Sequence, residues 1–222
     1  MVIGLALGDE TPETYNTLQN NLERSGFAQE EPSFRWSRHV DAVKVKVEFL
    51  CETDQVPGGR IYRPTGEFTG SKLGAFNVRG AQLVRADFIE CSIEGRRLDD
   101  GGVSRMSVRV ANVLPYSVLK VLAFQDRHEN KDAYDLVFTL LNREGGPRSA
   151  GVAASSSPVA MHPQVLEALR LAEERFRDVE QDGPHAYASF LADPWDDEGK
   201  ARLRMEAVLT VREFLLGVRQ TG

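Results

Sequence analysis

The stretch VKVKVEFL at residues 43–50 decides the first half of the fold, because its side chains alternate between apolar and polar. Its valines and Phe49 fall on one side of an extended chain, whereas Lys44, Lys46 and Glu48 fall on the other. A two-residue period of this kind predicts a strand with one face buried and the other face open to polar surroundings.

The residues before this strand predict another strand and a helix. The apolar run at 2–7 has the character of a strand end. Thr11 is a suitable N-cap and Pro12 suits a first helical turn, where no amide hydrogen is needed. We therefore expect a helix from Pro12 to about Ser25, ended by Gly26 in the left-handed conformation.

The residues after the strand predict a loop and then a β-hairpin. Residues 57–75 contain five glycines and two prolines, which favours a long loop or an irregular hairpin. Residues 81–95 and 103–113 are rich in apolar and β-branched types. Between them, the residues DDGG at 99–102 tolerate positive φ angles, so we expect an antiparallel hairpin.

The second half of the chain predicts helices. The Gly-, Ala- and Ser-rich residues 145–158 are typical of a flexible connector. In the acidic segment 193–198, Asp196 and Asp197 are expected to cap a helix rather than to bind metal. Apolar spacing and helix-start signals place helices at 115–127, 131–143, 163–180, 184–192 and 197–218. The fold class is therefore α+β, with a domain at 1–144 and a helical subdomain at 159–222.

Composition excludes several classes of protein. The chain has 222 residues, 41% of them hydrophobic, and a formal net charge of -6, which argues against nucleic-acid binding through global charge. Cys51 and Cys91 each lie next to an apolar run, so both are expected to be buried structural thiols. The four histidines do not have the short spacings of a zinc site.

The sequence also bears on location. No apolar stretch is long enough to span a bilayer, and the first residues lack the basic flank and cleavage site of a signal peptide. We therefore expect a cytoplasmic protein with no membrane partner.

The densest group of charges runs across the helices expected at 115–127 and 131–143. Lys120 and Arg127 are seven residues apart and share one helix face, whereas Asp132 and Asp135 are three apart and share another. Two interpretations stay open at this level. The charges can be ordinary helix electrostatics, with Lys131 and Asp135 as an i,i+4 pair, or they can form a site.

The sequence of this segment resembles that of a known family. Residues VLPYSVLK at 113–120, Arg127 and KDAYDL at 131–136 resemble a motif of the AbiEii-type nucleotidyltransferase-like family of bacterial defence and type IV toxin-antitoxin systems. Further matches in the order of that family are GF at 26–27, RW at 35–36 and VEFL at 47–50. The resemblance implies a mixed sheet flanked by helices, with a helical C-terminal part.

The resemblance also implies a chemistry. Its members transfer a nucleotide from a nucleoside triphosphate to RNA or protein with Mg²⁺, so a triphosphate, RNA and a cognate antitoxin are the implied partners. Glu48 stands where the family carries its third metal-binding carboxylate, usually an aspartate. The implied catalytic residues are Glu48, Lys120, Asp132 and Asp135, and the implied nucleotide-binding residues are Lys120, Arg127 and Lys131. The alternative for Glu48 is a solvated strand face on which it pairs with Lys44 or Lys46.

The family's first two carboxylates, one residue apart on a strand after a Gly-Ser turn, have no match. The candidate turn is Gly70-Ser71, but the carboxylates that follow, Asp87 and Glu90, would face opposite sides of a strand. The chain is expected to begin just after the missing pair. It is then either an enzyme whose start lies upstream, or a degenerate, non-catalytic module that binds a nucleotide or a partner.

Overall fold

The computed structural model describes residues 2–4, 12–63, 72–97, 100–193 and 195–220. Over these ranges the chain forms two sheets and eight helices, so the predicted α+β class with a helical C-terminal part is confirmed. The chain divides into two compact units, Met1–Gln82 with Glu90–Arg109, and Leu83–Ile89 with Val110–Gly222. No helix in the described ranges is both long and apolar enough to cross a membrane.

A mixed sheet and one helix build most of the first unit. The helix is α1 (Pro12–Arg24), and the strands are β1 (Val2–Gly4), β2 (Ala28–Gln29), β3 (Arg35–Val40), β4 (Val43–Cys51), β5 (Ile61–Tyr62) and β6 (Ala75–Asn77). The strand order is β2-β3-β4-β6-β5, and β1 pairs in parallel with β4. Strand β4 is therefore the centre of the sheet, with β3 antiparallel to it and β6 parallel.

The alternation predicted for β4 is confirmed from Val47 onward, whereas Val43 at the start of the strand is 63% exposed. Val47 and Phe49 are buried, as is Cys51 at the end of the strand, and they share a core with Trp36 of β3 and Tyr15 of α1. The alternate residues of β4 leave this core. One face of the sheet thus packs on α1, and the other face carries Arg35 of β3 together with Lys44, Lys46 and Glu48 of β4.

The turns around the sheet follow the predicted chemistry in part. Gly26 has a φ of 75° and ends α1, as expected for a left-handed helix C-cap. Residues 57–75, predicted as a loop or irregular hairpin, supply β5 and the start of β6, which pair antiparallel through Ile61–Phe76. The predicted cap Thr11 and the Gly70-Ser71 turn lie outside the described residues.

The predicted hairpin forms, but it starts later than expected. Its strands are β7 (Phe88–Arg96) and β8 (Val103–Ala111), and the short helix α2 (Leu83–Ala86) occupies the beginning of the segment predicted as strand. Asp87, which separates α2 from β7, is buried and accepts hydrogen bonds from Asn112 (2.8 Å) and Ser157 (2.5 Å). These bonds fix the point at which the helical turn ends and the strand begins.

The expectation of buried thiols is confirmed for Cys51 and wrong for Cys91. Cys51 is buried at the end of β4, whereas Cys91 in β7 is half-buried. Burial raises the pKa of Cys51 to about 11, which keeps that thiol protonated at neutral pH.

Besides the short α2, six helices build the second unit. They are α3 (Val113–Arg127), α4 (Asn130–Asn142), α5 (Gly146–Ser155), α6 (Pro163–Arg175), α7 (Asp182–Leu191) and α8 (Asp197–Arg219). Asp196 accepts a hydrogen bond from the amide of Gly199, so the predicted cap of α8 is confirmed. Helices α3 and α4 share one apolar core with α6, α7 and α8. The domain boundary predicted between 144 and 159 falls inside this unit.

The flexible connector predicted for residues 145–158 is wrong, because these residues form α5, which packs closely on α8. The small side chains that suggested flexibility permit the close approach. A Cβ at Gly151 would overlap the carbonyl oxygen of Phe214 and lie 2.8 Å from the Cα of Gly217. Two glycines therefore face each other where α5 and α8 cross, and α5 is buried by packing rather than exposed as a linker.

Ser117 of α3 carries a buried hydroxyl with no hydrogen-bond partner among the described residues. It lines a small cavity between α3 and the apolar side chains of α4, α6 and α8. An unpaired buried polar group costs roughly 1–3 kcal/mol. We therefore expect Ser117→Ala to raise the free energy of unfolding by about 1 kcal/mol, measured by urea denaturation.

Serine to alanine also improves helix propensity by a few tenths of a kcal/mol, so a matched control is needed. Ser149→Ala makes the same change at an exposed position of α5 and reports the propensity effect alone. If Ser117→Ala gains no more than this control, or loses stability, the hydroxyl is not an unsatisfied group.

Candidate functional site

The charged residues singled out in α3 and α4 come together in the second unit. His128 ends α3 in the left-handed conformation, with a φ of 53°, and α4 begins two residues later. This short turn returns the chain so that the last turns of α3 lie beside the first turns of α4. Lys120 and Arg127 of α3 therefore meet Asp132 and Asp135 of α4.

Asp132 is the centre of the group. Its side chain is 1% exposed, although it belongs to the first turn of α4. The guanidinium of Arg127 donates two hydrogen bonds to this carboxylate, from Nε to Oδ2 at 2.7 Å and from Nη2 to Oδ1 at 2.7 Å. Lys120 Nζ lies 3.5 Å from Oδ1. The bidentate arginine and the nearby lysine therefore satisfy the acceptor positions of the buried Asp132 carboxylate with cations of the same chain.

Asp135 forms the second half of the group. Lys120 Nζ donates to its Oδ2 at 2.6 Å, and Lys131 Nζ donates to Oδ1 at 2.8 Å and to Oδ2 at 2.6 Å. Lys120 also lies 5.6 Å from the centre of the Tyr116 ring, within range of a cation–π interaction. Sequence reasoning missed Tyr116, although its spacing of four residues from Lys120 on one helix was a usable signal.

The ion pairs shift the pKa values of both partners towards the charged forms. Burial by itself lowers the pKa of Lys120, but the hydrogen bond to Asp135 and the nearby acidic groups outweigh burial and raise it above its usual value. Burial raises the pKa of Asp135, yet the hydrogen bonds from Lys120 and Lys131 outweigh burial and lower it. Both groups are therefore charged at neutral pH.

We call these five residues the α3–α4 ion network: Lys120, Arg127, Lys131, Asp132 and Asp135. Its three cations and two carboxylates leave a net charge of +1. The side chains of Arg127 and Lys131 are 57% and 62% exposed, so the positive end faces solvent. Such an arrangement can attract an anion, whereas its carboxylates are already engaged by cations and are poor candidates for metal ligands.

Glu48, the expected metal ligand, lies on the polar face of the sheet in the first unit. Arg35 of β3 is directly opposite in the antiparallel register, and its Nε donates to Glu48 Oε1 at 2.6 Å. The alternative expectation, that Glu48 pairs with Lys44 or Lys46, is not the arrangement observed. Lys44 bonds instead to Glu30. The convergence of Glu48 with the α3–α4 ion network on one cleft stays a prediction.

The described residues do not fit a bound Mg²⁺ ion. Across them, no group of three or more His, Cys, Asp or Glu side chains could hold a metal. Glu48 offers one carboxylate, and Arg35 already occupies it. Since Mg²⁺ in proteins is usually held by one or two carboxylates together with waters and substrate phosphates, the side chains described here supply at most a fragment of such a site.

Comparisons with known proteins leave the family unassigned. No protein-family model, no curated protein and no solved structure matches the chain.

Proposed function

We propose that the chain is a nucleotidyltransferase-like protein that binds a nucleoside triphosphate by its phosphates, using Lys120, Arg127 and Lys131. The observation that carries the proposal is the α3–α4 ion network, with its net charge of +1 and two solvent-facing cations. The sequence segments VLPYSVLK and KDAYDL, which resemble a motif of the AbiEii-type family, lie in the same two helices. Arginine and lysine are the side chains best suited to phosphate oxygens.

The position of β1 supports the resemblance. The resemblance implies two carboxylates one residue apart on a strand, which would have to converge with the third carboxylate, at the position of Glu48. Strand β1 is the parallel neighbour of β4, and Val2 is the partner of Glu48 in the register. The strand that carries Glu48 therefore has a parallel neighbour, an arrangement compatible with such convergence.

Two activities are compatible with such binding. The first is Mg²⁺-dependent transfer of the nucleotide to RNA or protein in a toxin-antitoxin context. The second is binding without transfer, as a module that holds a nucleotide or a partner such as a cognate antitoxin. The second is favoured because the three candidate carboxylates already form ion pairs within the chain. Arg35 pairs with Glu48, Arg127 pairs with Asp132, and Lys120 pairs with Asp135. We therefore propose binding without transfer for the 222-residue chain.

Binding is tested with Lys131→Met, which removes an exposed cation of the α3–α4 ion network. Isothermal titration calorimetry with a nucleoside triphosphate is expected to show about tenfold weaker binding than the unmodified chain, the effect of losing about 1.4 kcal/mol of charge-assisted contact. Arg170→Met is the matched control, because Arg170 and Glu174 also form an exposed i,i+4 ion pair, on α6. Equal affinities for the two variants would contradict the proposal.

Transfer is tested separately. The 222-residue chain, given labelled triphosphate, Mg²⁺ and total RNA, is expected to yield no labelled RNA or protein. A labelled product that disappears in Lys120→Met would establish transfer and reject the binding-only alternative.

A further inference from the structure

Helices α4 and α7 of the second unit bring four aromatic rings together. Tyr134 of α4 is at the centre and stacks on Phe190 of α7, with the ring centres 4.6 Å apart. The ring centre of Phe138 lies 5.4 Å from that of Tyr134, and the ring centre of Tyr187 lies 6.4 Å from it. We call these four residues the α4–α7 aromatic cluster: Tyr134, Phe138, Tyr187 and Phe190.

Two rings of the cluster are open to solvent. Phe138 is 48% exposed and Phe190 is 44% exposed, whereas Tyr187 is buried and anchors the cluster in the core of the unit. Aromatic rings attract each other in offset-stacked and edge-to-face arrangements. The exposed parts of Phe138 and Phe190 therefore offer aromatic surface on which a further flat ring can stack.

The open rings lie beside the α3–α4 ion network, because both include residues of α4. Lys131 and Phe138 are seven residues apart on this helix, which places them on one face about 10 Å apart along its axis. The bonds from Lys131 Nζ to Asp135 direct the ammonium group along the helix towards Phe138. Asp135 is three residues before Phe138, a rise of only about 4.5 Å. A solvent-facing cation and an open aromatic ring are therefore neighbours.

We propose that the α4–α7 aromatic cluster binds the base of the nucleoside triphosphate whose phosphates bind Arg127 and Lys131, an inference that rests on the function proposed above. A nucleotide joins a flat aromatic ring, through its ribose, to a chain of negative charges. The second unit offers the complementary features in the same order along α4, first the exposed cations and then the open rings. Bases bind proteins by stacking on aromatic side chains in this way.

The neighbouring charges favour a nucleotide over a protein segment. Lysine is depleted in protein–protein interfaces, yet Lys131 stands beside the exposed Phe138 on the same face of α4. A long single strand of nucleic acid would use the same pair of features repeatedly. The formal net charge of -6 opposes a long phosphate backbone, whereas one nucleotide needs only the local cations.

The chemistry of the rings also predicts the kind of selectivity. Phenylalanine has no hydrogen-bonding atom in its side chain, so Phe138 and Phe190 distinguish bases by stacking strength rather than by their polar edges. The larger ring system of a purine stacks over more surface than a pyrimidine. We therefore expect ATP and GTP to bind with similar affinity, and both to bind more tightly than CTP and UTP.

The experiment compares ATP with inorganic triphosphate, which has the phosphates but no base, by isothermal titration calorimetry of the full chain. The unmodified chain is expected to bind ATP about tenfold more tightly. Combining Phe138→Leu with Phe190→Leu keeps apolar side chains but removes both rings. This double variant is expected to lose the advantage of ATP while its affinity for inorganic triphosphate stays within about twofold. Lys131→Met is expected to weaken the binding of both ligands.

Two control variants separate stacking from general loss of apolar surface. Leu141→Ala removes another exposed apolar side chain of α4, three residues beyond Phe138, and is expected to change the affinity for ATP by less than about threefold. Phe138→Trp, which supplies a larger ring, is expected to bind ATP at least as tightly as the unmodified chain. Circular dichroism melting of each variant shows that the fold is retained.

The outcomes distinguish failure of the base site from failure of phosphate binding. Equal affinities for ATP and inorganic triphosphate, both reduced by Lys131→Met, would overturn the base site, leave phosphate binding standing and assign the open rings to a protein partner. An advantage of ATP that survives the double variant would also overturn the base site. Binding of neither ligand would reject the proposed function and this inference together.

Discussion

Replacing Asp132 with alanine is expected to lower the free energy of unfolding by about 3 kcal/mol, at the lower end of the range for breaking a buried ion pair. The side chain is 1% exposed and receives both hydrogen bonds of Arg127. Its removal leaves Lys120 partly buried without its second carboxylate neighbour. The loss is limited because Arg127, which is 57% exposed, can turn to solvent.

Chemical denaturation of the purified chain measures this effect. Lys131→Ala is the matched control, since it removes an exposed i,i+4 pair in the same network and is expected to cost about 0.5 kcal/mol or less. Combining Arg127→Leu with Asp132→Leu should recover part of the loss, because no unpaired charge then faces the buried space. A cost for Asp132→Ala as small as that of the control would mean that the network does not stabilise the fold.

Replacing Gly151 with valine is expected to cost about 3 kcal/mol, the upper end of the usual penalty for overpacking. The first added carbon would already overlap the backbone carbonyl of Phe214 on α8, and backbone cannot move aside as a flexible side chain can. Helices α5 and α8 would have to separate along their whole contact. Thermal unfolding followed by circular dichroism should show a lower Tm.

Ala153→Val is the control for that substitution, because Ala153 is an exposed residue of the same helix. It carries the helix-propensity cost of valine, about 0.5 kcal/mol, without any close neighbour. Valine has a better helix propensity than glycine, so propensity alone would make Gly151→Val slightly stabilising. A Tm for Gly151→Val no lower than that for Ala153→Val would therefore contradict the close crossing of α5 and α8.

The sheet could be predicted from periodicity, and its ion pairs could not. The alternation in β4 identified the buried side chains Val47 and Phe49, because period and burial are directly related in a strand. The partner of Glu48 required the register of β3 against β4, which the turn between them fixes. A two-residue turn at 41–42 sets the register that places Arg35 opposite Glu48. Had this turn been known, Lys44 and Lys46 would have been excluded as partners of Glu48.

Composition led to a wrong prediction where tertiary packing determines the secondary structure. Residues 145–158 have the glycine, alanine and serine content of a linker, yet α5 forms because those small residues admit α8 at close range. The same limit applies to the α3–α4 ion network. Spacing identified which residues share a helix face, but the match of Arg127 to Asp132 depends on the left-handed turn at His128. No spacing rule supplies that turn.

The path of the chain through the two units restricts which truncated proteins could contain a whole unit. Residues 83–89 belong to the helical unit, residues 90–109 return to the first unit, and residues from 110 onward rejoin the helices. Neither unit is one continuous stretch, so no single stop codon releases either of them whole. A truncation after residue 144 would keep α3 and α4 but discard α5 to α8, leaving Leu136 and Leu140 without their apolar neighbours on α6 and α8. Loss of activity in such a truncated protein would report misfolding rather than a missing functional group.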